Sequence, residues 1–225
     1  MRFARRAFTI TWKDLLTERR TKEQVNSLAY FAVLLLFLFQ FAIGPDQAKI
    51  REAAPGLLWL SFILTGILGL GRAFQVEREN ECLEGLLLSP VDREAIFLGK
   101  LLGNTIMMLL LSFFLLPLFA VFYNLDLWRS LPSILVVVFL GIFGFAVVGT
   151  LYSAMTANVR ARELLFPLLL LPLVVPVLLA SVTATKILME GGSLSKAMRG
   201  LQLLVGFDII FLVVALLAFE FVVEE

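Results

Sequence analysis

The chain contains no histidine and a single cysteine, Cys82. A disulfide within the chain is excluded, and so are zinc sites of the usual Cys/His kind. No imidazole can act as acid, base or haem ligand. Charge is scarce as well, with 16% charged residues and a net charge of +1. That total identifies no partner, and no nucleic-acid partner is expected. Also missing are a Gly-x-x-x-x-Gly-Lys-Ser/Thr phosphate loop and any Asp/Glu/His constellation of hydrolytic type. These absences weigh against an enzyme, and no metal or cofactor is expected to be bound by this chain. Energy for directional work would have to come from a partner or an ion gradient. A cleaved signal is not expected either, because charged and polar residues run to about Asn26 before the first long apolar stretch.

What is present is apolar. Hydrophobic residues make up 60% of the 225, with 21 phenylalanines and a mean hydropathy of +0.94. Soluble domains sit at roughly 45–50% apolar, so lipid is the natural solvent. Six apolar runs follow one another, at about 25–43, 57–76, 97–122, 133–156, 164–185 and 203–223. Each approaches the roughly 20 residues needed to cross a hydrocarbon core of ~30 Å. With no water to satisfy backbone groups there, helices are the expected form. The fold expected is an all-α membrane protein: an N-terminal helix over 1–24, then one six-span domain over 25–225.

Residues 1–24 are amphipathic. Ala4, Phe8, Thr11, Trp12 and Leu15 form an apolar stripe, and Arg2, Arg6 and Lys13 share another face. A basic helix with such a stripe is expected to lie in the membrane interface. Lysine and arginine also set the orientation. Thirteen of the 19 fall on the side of the N-terminus and six on the other. Both termini are therefore expected in the cytoplasm, with the 186–200 loop the weakest point.

Small residues mark two spans: Gly66, Gly69 and Gly71 in the second, and Gly141, Gly144, Gly149 and Ser153 in the fourth. They allow close helix approach, and packing within one subunit is favoured over a dimer seam. Pro55 is expected at the first turn of the second span. Pro167, Pro172 and Pro176 are expected to kink or interrupt the fifth. Asp208 is the one carboxylate well inside a span, about one turn in. An intramembrane acid is a functional candidate, but at that depth reaching the interface or pairing locally is the simpler reading.

Between spans 2 and 3 lies a polar island, Glu77 to Pro90. At 100° per residue, Leu83, Leu86 and Leu87 share one face and Glu77, Glu81 and Glu84 the other. Pro90 ends the helix. A leucine face can enter a groove on a soluble ATPase, and an acidic face can meet basic residues at its rim. The bland alternative is a helix resting on the bilayer, where Glu77, Glu79, Glu81 and Glu84 would be repelled by anionic lipid.

At this island the chain resembles the membrane subunits of ABC-2 type exporters. Glu77-Arg78-Glu79, Leu83-Glu84, Leu86-Leu87, Ser89-Pro90 and Gly99-Lys100 carry that likeness. Ile43-Gly44-Pro45, Ala54-Pro55-Gly56-Leu57-Leu58-Trp59 and Leu171-Pro172-Leu173-Val174-Val175-Pro176-Val177-Leu178-Leu179 point more narrowly, to the CcmB permease family of cytochrome c maturation. The resemblance runs from about residue 25 to the end, in matching order. One departure is Asn80-Glu81, where the family often has Asp-Gly.

The resemblance implies ATP and magnesium bound in a separate CcmA-like cytoplasmic ATPase. It also implies CcmC-like and CcmD-like membrane subunits, a periplasmic CcmE-like haem chaperone, and haem as substrate of the complex. It implies the inner membrane of a bacterium. Residues 77–90 would then be the ATPase-coupling helix. Two copies of the chain facing each other remain an open arrangement, as do a different hydrophobic substrate, a gradient-driven carrier using Asp208, and a scaffold without a transport cycle.

Overall fold

The computed structural model describes residues 2–74, 92–125, 127–157, 159 and 161–222. Among these residues the regular structure is helical: α1 (Arg2–Thr21), α2 (Glu23–Ile43), α3 (Gln47–Leu70), α4 (Arg93–Phe122), α5 (Leu131–Thr156), α6 (Arg162–Met189) and α7 (Met198–Val222), with a short 3-10 turn at Trp128–Ser130. The six helices α2 to α7 are each long and apolar enough to cross a membrane. The all-helical, six-span architecture expected from the apolar runs is therefore what the chain forms.

The ends of the helices follow from local chemistry. Lys22 takes a left-handed conformation between α1 and α2, and the Val25 N–H donates to Glu18 Oε1 at 2.7 Å, occupying a donor of the first turn of α2. Gly44 and Gly191, both at positive φ, follow the ends of α2 and α6, as glycine at a helix C-terminus commonly does. Asp46 caps α3, its Oδ1 accepting from Ala48 N at 3.0 Å and Lys49 N at 3.4 Å.

That cap moves the start of the second span. The apolar run begins at about 57, but α3 begins at Gln47. Pro55 is thus buried inside the helix and not at its first turn. A polar first stretch, Gln47 to Glu52, hid these turns from hydropathy. The fifth span is not interrupted. Pro167, Pro172 and Pro176 all lie within α6, which runs unbroken from Arg162 to Met189. Each proline removes one N–H donor, but spanning helices tolerate it where the flanking turns remain bonded. The rings of Pro172 and Pro176 stand on the outward face.

α5 is the central helix, packed on α4, α6 and α7 and touching α3. Its glycines receive neighbours. Gly141 faces the Trp59 ring and Ser181, Gly144 faces Asp208 and Phe207, and Gly149 faces Leu70. Packing within one subunit is what these small residues serve. Trp59 is also tied across the core, Nε1 donating to Thr185 Oγ1 at 2.9 Å. At one end Tyr123 donates to the Leu36 carbonyl at 3.0 Å and Ser130 to the Leu188 carbonyl at 2.8 Å.

Two apolar cores result. The larger fills the space among α2 to α7. The smaller gathers Ile10 of α1, Phe74, Ile96, Phe97 and Leu101 of α4, Ala146, Val147 and Leu151 of α5, and Ala215 and Phe219 of α7. It lies at the end of the bundle where α1 sits.

Candidate functional site: the platform beside α1 and a buried carboxyl

The predicted coupling residues Glu77, Glu79, Glu81, Leu83, Glu84, Leu86, Leu87 and Pro90 lie outside the described residues. Their two attachment points, Phe74 and Asp92, are described, the first in the smaller core and the second paired with α1. Phe74 is buried, with its ring centroid 5.9 Å from that of Phe219, which in turn lies 5.2 Å from Phe97. Asp92 accepts from Arg6 Nη1 at 3.3 Å. One residue on, Arg93 donates to the Glu220 carbonyl at 3.2 Å, so the start of α4 meets the end of α7.

α1 docks along the first turns of α4 through small and polar side chains. Ala7, Ile10 and Thr11 are buried. Thr11 Oγ1 donates to the Gly99 carbonyl at 2.9 Å. A methyl at Gly99 would come within 2.8 Å of the Ala7 carbonyl and of Ile10 Cβ, so glycine permits this approach. Next to it Lys100 Nζ pairs with Asp14 Oδ2 at 2.9 Å and lies 5.7 Å from the centroid of Phe74. Lys100 is buried, with only 5% of its surface exposed.

The docked face differs from the stripe expected to meet the membrane interface. That stripe includes Phe8 and Trp12, which are 62% and 54% exposed and stack on each other. Thr11 belongs to the docked row. The row Ala7, Ile10, Thr11, Asp14 has the right spacing for a buried face, but its small and polar members carry little hydropathy. Lys100 stands on the third span, eight positions into α4, where a charge inside a spanning helix calls for a partner.

Asp208 is described, and its depth corrects the sequence reading. α7 starts at Met198, five residues before the apolar run, so Asp208 lies ten residues in, about 15 Å along the axis. It is only 5% exposed, and neither carboxyl oxygen has a hydrogen-bond partner among the described residues. It lies away from both ends of the helix, and no local pairing is seen among those residues.

An apolar cavity of about 10 Å³ lies among Trp59, Phe62, Met108, Phe145, Val174 and Val177. It has room for about one water molecule and none for a porphyrin.

A family profile described as "CcmB protein" matches residues 5–225. The chain belongs to the CcmB family. The match takes in α1 from Arg5 onward, the polar island and the whole of α7. Among curated members of similar sequence, the "Heme exporter protein B" of Pseudomonas aeruginosa is 31% identical over 173 residues, 77% of each chain. Its namesake in Rhodobacter capsulatus is 34% identical over 156 residues, 68% of this chain and 69% of the relative. That of Haemophilus influenzae is 29% identical over 163 residues, 72% of each.

Proposed function

We propose that this chain is the membrane permease subunit of a haem-export ABC transporter serving cytochrome c biogenesis, with ATP hydrolysed by a separate cytoplasmic subunit. The observation that carries this is the family match across residues 5–225, in a chain of six spanning helices that has no phosphate-binding loop of its own.

On this reading the island between Phe74 and Asp92 is where a CcmA-like ATPase grips. Leu83, Leu86 and Leu87 enter its groove; Glu77, Glu79, Glu81 and Glu84 fix the register; Pro90 ends the helix. The packing of the described residues that flank the island supports the idea, since Phe74 is buried in the smaller core and Asp92 pairs with Arg6 of α1. Both termini face the cytoplasm of a bacterial inner membrane. CcmC-like and CcmD-like subunits and a CcmE-like chaperone complete the assembly.

Gentle-detergent pull-down with mass spectrometry tests the reading. Charge reversal at Glu77 and Glu84, or Leu86→Asp, is expected to abolish co-purification of an ATPase while membrane insertion continues. Retained ATPase binding would overturn the coupling role. Labelling of Cys82 from outside intact cells would overturn the orientation.

Within the complex, release of a haem-loaded chaperone fits this chain better than passage of haem through it. The absence of histidine favours that version. Haem bound by this subunit alone, measured by absorbance after purification, would argue against it.

A further inference from the structure

We infer that Asp208 is a proton-exchange site sealed in the seam between α5 and α7, giving up its proton to water only when these helices part. The proposal does not depend on the coupling role of the island. It rests on the position of the carboxyl and on what surrounds it.

Oδ1 occupies the space where a methyl on Gly144 would stand, so glycine at that position is what admits the carboxyl. Gly144 lies near the middle of α5, as Asp208 does in α7. The Phe207 ring closes on the same place, 3.3 Å from that methyl position, and stacks on Phe211 at 4.1 Å between centroids. Neither oxygen receives a donor from the described residues.

The helices packed on α7 offer no compensating charge at this level. α5 has no charged residue along its length, and its one titratable group is Tyr152 in its last turns. α4 carries Arg93, Glu94 and Lys100, all within its first eight residues. α6 carries Arg162 and Glu163 at its start and Lys186 in its last turn. On α7 itself Arg199 lies about 14 Å before Asp208 along the axis and Glu220 about 18 Å after it.

Among the described residues neither a cation nor an N–H donor meets a carboxylate in this seam, and a buried charge inside a membrane needs such a partner. The closed seam therefore keeps the acid with its proton. When the seam opens, the O–H bond breaks and the proton passes to water, with no other bond changed.

Infrared spectroscopy of the full chain in membranes reads this directly. A carboxylic-acid C=O band is expected at neutral pH, to be lost in Asp208→Asn, and to shift only slowly after transfer to heavy water. Should Asp208→Asn fail to accumulate, carbon-13 labelling of aspartate in the wild-type chain identifies the band by its isotope shift. A wild-type chain with no such band at neutral pH overturns the proposal. So does a band that exchanges as soon as heavy water is mixed in.

Discussion

Lys100 Nζ lies 2.9 Å from Asp14 Oδ2, joining a spanning helix to the N-terminal helix beside it. Asp14 keeps 24% of its side chain exposed while Lys100 keeps 6%, so the pair is screened on one side only. Breaking a fully buried pair costs roughly 3–5 kcal/mol. Partial exposure reduces that figure, and Asp14→Ala is expected to cost about 1–3 kcal/mol. The loss should appear as a lower melting temperature in detergent and as faster tryptic cleavage at Arg19 and Arg20. The exchanged pair Asp14→Lys with Lys100→Asp should recover part of it.

Gly144 and Asp208 should be coupled. Gly144→Ala places a methyl on Oδ1 and is expected to destabilise by about 1–3 kcal/mol, the usual cost of overpacking. In an Asp208→Ala background the same substitution should cost far less, since the obstructing carboxyl is gone. Additive effects in the thermal unfolding of the four chains would show that the two residues do not share space.

The bond from Trp59 to Thr185 holds α3 to α6 in the larger core. Trp59→Phe removes the donor and is expected to cost about 1 kcal/mol, in the range of hydrogen bonds between membrane helices. Thr185→Val should then add little in that background, because the acceptor has already lost its donor. A large further loss on the second substitution would assign Thr185 a different role.

Trp12 and Phe8 point away from the docked face of α1. If this stripe rests in lipid, brominated acyl chains should quench Trp12 fluorescence in a chain carrying Trp59→Phe and Trp128→Phe. Phe8→Ser should weaken the quenching while leaving α1 docked, as judged by trypsin resistance. Unquenched Trp12 emission would place the stripe in water or against a partner.

Much of this architecture could be read from the amino acids in order. Long apolar runs with almost no interior charge leave helices as the form that satisfies every backbone group in lipid, and six such helices formed. The glycines of the fourth span signalled close approach, and Gly141, Gly144 and Gly149 each receive a neighbour within the subunit. Helix starts were less legible, because caps such as Asp46 and polar first turns carry no hydropathy. Hence α3 and α7 begin earlier than their apolar runs.

Membrane residence, the number of spans and the lack of an ATP-binding loop follow from composition and order alone, since the cost of exposing apolar surface to water depends on side-chain chemistry wherever the chain goes. Partner choice between helices was decided only in three dimensions. An apolar face looks alike whether it meets lipid or protein, so the docked row of α1 could not be told from its aromatic stripe. The burial of Asp208 and the pairing of Lys100 with Asp14 were settled the same way, by which helices lie side by side and how closely a glycine lets them come.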